Sequence, residues 1–152
     1  MRGTVLGVGV DVVETKRFER LVHRGAPGVW RHWYTEAEAD ECGTHARPGL
    51  AAALRFGVKE ATYKAVHMEF SGGVRWRDIE VLGPERAPKV VLHGEVAAAA
   101  AAAGVARLHV SVCHLGGRVL TMVLAEGHAT TSQPSGAPHV YAAPHTTIRG
   151  HG

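Results

Sequence analysis

The chain has 152 residues, of which 45% are hydrophobic and 20% charged, and this composition fits a single globular domain and excludes a largely disordered chain. No apolar run is long enough to cross a bilayer, and the first residues lead into a strand pattern without a basic and then apolar leader, so we expect a soluble, cytoplasmic protein. Two scattered cysteines, Cys42 and Cys113, exclude a disulfide framework, and the formal charge of +3 without a dense basic stripe argues against a nucleic-acid partner.

The first predicted element is a β-strand over residues 5–14, VLGVGVDVVE. Its β-branched and apolar residues are typical of a largely buried strand. Asp11 lies in the middle of this run, where an unpaired carboxylate would be costly to bury. We therefore expect Asp11 to lie beside a cation, a metal ion or several hydrogen-bond donors. An aspartate with purely structural hydrogen bonds is the alternative.

A short amphipathic helix is predicted directly after this strand. Arg17, Arg20 and Arg24 recur at helical spacing, and Phe18 and Leu21 would pack inward. A basic face of this kind is usually only solvated.

An aromatic segment, VWRHWYT, follows a break rich in Gly and Pro. Trp30 and Trp33 within it fit either the core or a partner site. Thr35 has the character of a helix N-cap, because the sequence TEAEADE that begins with it places Glu36 and Glu38 in the first turn, where they complement the helix dipole.

A longer helix is predicted to begin at Leu50, after a polar turn that contains Pro48. In its C-terminal part, RFGVKEATYKAV, apolar residues at helical spacing can face the core, while Glu60 and Lys64 lie one turn apart on a common face. An exposed ion pair is the ordinary interpretation of that spacing. Together with Asp11, however, Glu60 could supply two hard oxygen ligands to a magnesium ion, and Lys64 could then contact a phosphate or transfer a proton.

The C-terminal half is predicted to form an antiparallel sheet of strands around one helix. The strands are assigned to residues 74–82, 89–93, 108–114 and 119–126. A Gly-Gly sequence between the last two strands fits a hairpin turn. The helix runs from Glu95 to Ala103 through seven consecutive alanines and ends at Gly104. With the helix that begins at Leu50, these strands indicate a compact α+β domain.

Beyond Gly127 the composition shifts abruptly to His, Thr, Ser, Pro and Gly. A segment of this kind cannot bury enough apolar surface to offset the entropy that it loses on ordering. We therefore expect one domain over residues 1–127 and a disordered tail over residues 128–152.

Four segments, GVGVDVVE, RFGVKEATYKA, WRDIEV and HVSVCH, occur in an order that resembles the holo-acyl-carrier-protein synthases, the small stand-alone 4′-phosphopantetheinyl transferases. The resemblance extends from about residue 5 to residue 127. It implies antiparallel strands packed on a long central helix, and homotrimers with coenzyme clefts between subunits. It also implies transfer of the 4′-phosphopantetheine arm of coenzyme A to a serine of an apo acyl carrier protein of fatty-acid, polyketide or other synthesis, with release of adenosine 3′,5′-bisphosphate.

The resemblance also implies roles for individual residues. Asp11 and Glu60 would hold Mg²⁺, and Lys64 would act at the phosphate or on the serine proton. The residues expected to bind the coenzyme are Arg55, Lys59, Lys64, Gly72, Gly73 and His114. The residues expected to dock the acidic carrier are Arg17, Arg20 and Arg24.

The chain departs from the family's motifs at three places. VWRHWYT replaces the usual segment before the threonine, HMEFSGG replaces a glycine-rich turn, and Cys113 replaces the second serine of an S-x-S-H pattern. These departures leave open a coenzyme-binding or carrier-binding module that has lost catalysis, whereas the presence of Asp11, Glu60 and Lys64 argues against it. The aromatic segment also suggests a specialised carrier, although a core role explains the same side chains.

Overall fold

The computed structural model describes residues 3–25, 27–66, 75–127 and 139–142. The helices and strands are β1 (Thr4–Glu14), α1 (Thr15–His23), α2 (Pro27–Trp33), α3 (Glu36–Thr44), α4 (Pro48–Ala65), β2 (Ile79–Leu82), β3 (Lys89–Leu92), α5 (Gly94–Ala102), β4 (Val105–Leu115), β5 (Arg118–Gly127) and β6 (His139–Ala142). None of the helices in these ranges combines the length and the apolar character needed to span a membrane.

The strands form two three-stranded antiparallel sheets, one ordered β1-β5-β4 and the other β2-β3-β6. The predicted antiparallel pairing is confirmed, but the strands are divided between two sheets rather than joined in one. The strand predicted over residues 74–82 is shorter in the structure, because Trp76–Asp78 forms a 3-10 turn and β2 begins after it. Val74 lies outside the described residues.

β6 lies in the segment beyond Gly127, for which the sequence predicts no regular structure. Its backbone pairs with β3, with His139 opposite Leu92 and Ala142 opposite Lys89. The rest of that segment lies outside the described residues, so the disordered tail stays a prediction there.

The β4–β5 hairpin has the Gly-Gly turn that the sequence predicts. Leu115 pairs with Arg118, and between them Gly116 and Gly117 have φ angles of 54° and 78°. Glycine enters this left-handed region at little cost, and two such residues give a turn whose twist matches that of the strands. The N–H and the hydroxyl of Thr15 both donate to the Gly117 carbonyl oxygen, which ties the start of α1 to this turn.

α4 begins at Pro48 and packs against β1 and β5, and 14 of its 18 residues are buried. Glycines let the two backbones approach closely. A Cβ atom on Gly9 of β1 would lie 1.8 Å from the Ala61 carbonyl oxygen, and one on Gly57 of α4 would lie 3.0 Å from Thr121 Cγ2. The position of α4 over β1 therefore depends on the absence of a side chain at Gly9.

An aromatic group of Phe18, Trp33 and Phe56 joins α1, α2 and α4. The Phe56 ring centre lies 5.3 Å from that of Phe18 and 5.0 Å from that of Trp33. Phe18 is 1% exposed and Leu21 packs against the core, as the helical pattern predicts. Trp30 and Trp33 are partly buried and also pack against the core. The two tryptophans therefore belong to the edge of the core, and part of each side chain is exposed.

The outer face of the β1-β5-β4 sheet is apolar and exposed. Val10 lies opposite Met122 and Val12 opposite Leu120, and these four side chains are between 42% and 56% exposed. The sequence predicts a largely buried strand here. In the structure only the opposite face of the strand, which carries Val13, is buried by this chain. An exposed apolar patch of this kind is typical of a surface that another protein covers.

Replacing Gly9 by alanine should destabilise the domain by about 1–3 kcal/mol, because the added methyl group would overlap the α4 backbone. Gly43→Ala in α3 is the matched control, since a Cβ atom there meets nothing within 4 Å. Alanine should favour that helix by about 0.5–1 kcal/mol. Free energies of unfolding from urea denaturation test this difference, and equal stability of the two variants would contradict the close contact between β1 and α4.

Candidate active site

Asp11 on β1 and Lys64 in the last turn of α4 form an ion pair. Lys64 Nζ donates to Asp11 Oδ1 at 2.9 Å and to the Val10 carbonyl oxygen at 3.0 Å. The Asp11 side chain is 19% exposed and that of Lys64 is 46% exposed, so the pair is accessible from solvent. Asp11 thus lies beside a cation, as the sequence predicts, and that cation comes from the predicted helix.

Glu60 lies one helical turn before Lys64 and is half-buried. Burial raises the pKa of Glu60, and the nearby negative charge of Asp11 raises it further. The positive charges of Lys64 and Arg17 oppose these two effects. The negative charge of Asp11 therefore acts on Glu60, although the two carboxylates come from different elements.

The chemistry of this carboxylate pair fits magnesium. Mg²⁺ prefers oxygen ligands and is commonly bound through one or two carboxylates, with water and substrate phosphates in its other positions. A divalent cation between Asp11 and Glu60 would replace their repulsion by attraction. The described part of the chain contains no cluster of three or more His, Cys, Asp or Glu side chains suited to a metal ion.

Lys59 is fully buried and forms an ion pair with Glu38, which is also fully buried. Its Nζ donates to Glu38 Oε2 at 2.8 Å, to the Trp76 carbonyl oxygen at 2.8 Å and to the Ile79 carbonyl oxygen. An ammonium group has three donors, so these contacts use them all. The predicted contact of Lys59 with a coenzyme phosphate does not agree with this placement, because Lys59 instead holds α4 to α3 and β2.

Glu38 is the partner that the sequence analysis missed. It accepts from the N–H groups of Thr35 and Val81, each at 2.8 Å, and it completes a capping box with Thr35 at the start of α3. The predicted N-cap at Thr35 is therefore confirmed. Burial raises the pKa of Glu38 and lowers that of Lys59, and the attraction between the two charges opposes both shifts. The Thr-x-x-Glu spacing indicates the cap, but nothing local indicates a lysine partner that follows 21 residues later.

Arg55 is also buried and is bonded within the chain. Its Nη2 donates to Glu41 Oε2 at 2.5 Å, its Nε to the Val81 carbonyl oxygen at 3.1 Å and its Nη1 to the Ala51 carbonyl oxygen at 3.2 Å. The predicted role of Arg55 in coenzyme binding does not agree with this placement, because the side chain, like that of Lys59, is buried and bonded within the chain. The two predicted coenzyme-binding glycines, Gly72 and Gly73, lie outside the described residues.

His114 lies near the end of β4, away from Asp11. Asp11 is opposite Thr121 of β5, which in turn is opposite Val112 of β4. His114 follows Val112 by two residues. The Cα atoms of Asp11 and His114 are therefore two strands apart across the sheet and two residues apart along it, which gives a distance of about 12 Å. His114 Nε2 lies 4.0 Å from a carboxylate oxygen of Glu85. A single chain therefore does not bring His114 into contact with Asp11.

The three arginines predicted to dock a carrier fall into two groups. Arg20 and Arg24 line a groove along α1. The other residues that line this groove are Glu14, Lys16, Glu19 and His23. Arg17 lies instead against α2, with its guanidinium carbon 5.8 Å from the ring centres of both Phe18 and Trp33.

Comparison with known proteins confirms the resemblance seen in the motifs. A family model described as the 4′-phosphopantetheinyl transferase superfamily matches residues 7–122. The holo-[acyl-carrier-protein] synthase of Frankia casuarinae is 44% identical over 123 residues, which are 80% of this chain and 98% of the relative. That of Geobacter sulfurreducens is 33% identical over 123 residues, with 80% and 98% coverage. The solved ACPS–CoA complex of Chronobacterium ammoniagenes is 27% identical, with a TM-score of 0.64 over 80% of this chain and 97% of the other.

Replacing Lys59 by methionine should cost about 3–5 kcal/mol of folding free energy, because Glu38 would stay buried without its cation. Replacing both partners, with Glu38→Gln added, should restore much of the loss, since no unpaired charge then remains in the core. Lys64→Met is the control for a half-exposed lysine, whose ion pair contributes up to about 1 kcal/mol.

Denaturant unfolding of the three variants measures these differences. A Lys59→Met variant that keeps its stability but binds coenzyme A more weakly would contradict the structural role and support the phosphate contact predicted from the sequence.

Proposed function

Since the chain belongs to the 4′-phosphopantetheinyl transferase superfamily, we propose that it transfers the 4′-phosphopantetheine arm of coenzyme A to a serine hydroxyl of an apo acyl carrier protein. The observation that carries this proposal is the contact of Lys64 with Asp11 at 2.9 Å, next to Glu60. Two carboxylates and an ammonium group at one accessible place suit a reaction that moves a phosphoryl group. The alternative of a binding module without catalysis gives no reason for this combination.

In this reaction the serine oxygen bonds to the phosphorus atom that carries the pantetheine arm. The bond from that phosphorus to the bridging oxygen of the pyrophosphate breaks, and adenosine 3′,5′-bisphosphate leaves. Catalysis of such a transfer consists mainly of positioning and of stabilising the phosphate charge. A bound Mg²⁺ supplies part of that charge stabilisation, and Asp11 and Glu60 are the residues that would hold it.

We assign Lys64 to the phosphate charge, and the serine proton leaves to a water molecule. Two of its three donors contact Asp11 and the Val10 carbonyl oxygen, and the remaining donor is directed to a phosphate oxygen in this proposal. Because Lys59 and Arg55 are buried and bonded, we leave them out of the phosphate site. They would act by holding α4, and with it Glu60 and Lys64, in place.

We further propose that the protein acts as a homotrimer with a reaction cleft between neighbouring copies. The exposed apolar face of the β1-β5-β4 sheet, which includes Val10, Val12, Leu120 and Met122, supports this assembly because its burial would be favourable. The separation of His114 from Asp11 by about 12 Å also supports it. In a trimer, His114 of one copy would reach the coenzyme bound at the Asp11 and Glu60 pair of another.

The carrier would dock through the basic residues of α1, because carriers of this class present an acidic surface in the resembled family. Complementary charge steers encounter and orientation. We propose carriers of fatty-acid synthesis first and those of polyketide synthesis second, and we place the reaction in the cytoplasm. The two free cysteines, Cys42 and Cys113, are in keeping with a reducing compartment.

Replacing Glu60 by glutamine should reduce transfer at least about 100-fold, the order expected on loss of one charged group at such a site, while the fold is kept. Glu36→Gln is the matched control, because Glu36 is exposed in the first turn of α3. Intact-mass spectrometry of the carrier measures transfer, and circular dichroism checks the fold. A fully active Glu60→Gln variant would exclude Glu60 as an essential metal ligand.

A Val10→Glu variant should dissociate into monomers, because each copy would bury an unpaired carboxylate in the proposed interface. Ala98→Glu on the exposed side of α5 is the control and should leave the assembly unchanged. Sedimentation velocity distinguishes the two outcomes. A wild-type protein that sediments as an active monomer would contradict the trimer and the shared cleft.

A further inference from the structure

The guanidinium group of Arg17 lies over two aromatic rings. Its central carbon is 5.8 Å from the ring centre of Phe18 and 5.8 Å from that of Trp33. Both distances lie within the range of about 6 Å in which a cation is attracted to an aromatic face. Arg17 itself is exposed, so its N–H groups stay available to a partner.

The two rings are themselves fixed by the core. Trp33 lies 5.0 Å from Phe56 between ring centres, and Phe18 lies 5.3 Å from Phe56 and is 1% exposed. Phe56 is on α4, one helical turn before Glu60. The aromatic group of Phe18, Trp33 and Phe56 therefore fixes Arg17 relative to the helix that carries the proposed metal ligand.

Arg17 differs in this respect from the other two arginines of α1. Arg20 and Arg24 line the groove along α1, and Glu14 and Glu19 line it with them. Arg17 is not among the residues that line this groove, and its positive charge acts on Glu60. A group in this position would meet the part of the carrier that surrounds the reacting serine.

We propose that Trp33 is a positioning residue, which together with Phe18 holds the Arg17 guanidinium ready to receive a carboxylate of the acidic carrier. This inference rests on the proposed function. A planar guanidinium can bind a carboxylate through two parallel hydrogen bonds, and a side chain that is already fixed loses less entropy when it does so. Trp33 lies in the aromatic segment VWRHWYT, whose sequence departs from the family's motif.

The test is a double-mutant cycle on Trp33 and Arg17, with kcat and the KM values for carrier and coenzyme A measured for each variant. Trp33→Leu should raise the carrier KM about two- to fivefold, as expected for loss of one exposed cation–π contact. Its kcat and its KM for coenzyme A should change less than twofold. Arg17→Ala should raise the carrier KM further, and adding Trp33→Leu to it should have no additional effect, because Trp33 acts through Arg17.

Two more variants separate positioning from a general loss of packing. Trp33→Phe keeps an aromatic face and should keep most of the wild-type carrier KM. Trp30→Leu removes a tryptophan that stacks on Tyr34, with 4.9 Å between ring centres, and should leave the carrier KM unchanged. Additive effects of the Trp33 and Arg17 substitutions, or equal effects of Trp33→Leu and Trp30→Leu, would overturn the inference.

Failure of the proposed function gives a different result. If the wild-type protein transfers nothing to the carrier, the proposed reaction is wrong, and calorimetric titration of the same variants with apo carrier takes the place of the kinetic cycle. A two- to fivefold weaker Kd for Trp33→Leu, absent when Arg17 is alanine, would still support the positioning role. An unchanged Kd, or no binding by the wild type, would overturn it.

Discussion

The contact between the backbones of β1 and α4 at Gly9 is the constraint on which the candidate site depends. A Cβ atom at Gly9 would lie 1.8 Å from the Ala61 carbonyl oxygen, so only glycine lets the helix lie this close to the strand. Asp11 follows Gly9 by two residues, and Lys64 follows Ala61 by three. The same contact that packs the core therefore brings the carboxylate and the ammonium group to within 2.9 Å.

The cations on α4 lie in two different environments. The buried ones stabilise the fold, and the exposed one is available for the reaction. Lys59 and Arg55 are buried, and their donors are taken by Glu38, Glu41 and backbone carbonyl groups. Burial opposes their charge, so these partners are needed for the helix to remain in the core. Lys64, at the exposed end of the helix, keeps access to solvent and to a substrate. A cation's position along one helix thus decides whether it supports the fold or is available for the reaction.

Features set by neighbouring residues could be predicted from the sequence, whereas those set by distant packing could not. The cap at Thr35, the Gly-Gly hairpin and the inward side of α1 follow from local patterns. The apolar surroundings of Asp11 likewise indicate a cation, a metal ion or several donors beside it. The pairing of Lys59 with Glu38 depends on how α3 lies against α4, which no local pattern records. The exposed outer face of β1 could not be predicted either, because alternating valines do not show whether the same chain or another copy covers them.

The central claim is that the Asp11, Glu60 and Lys64 group is the reaction centre of a phosphopantetheinyl transferase. Intact-mass measurement of an apo acyl carrier protein, after incubation with the wild-type protein and coenzyme A, tests it most directly. With Mg²⁺ present, the account predicts a carrier heavier by one phosphopantetheine arm, and a chelator should prevent this gain. A carrier that binds the protein but keeps its apo mass, under conditions in which a known transferase modifies it, would contradict the account.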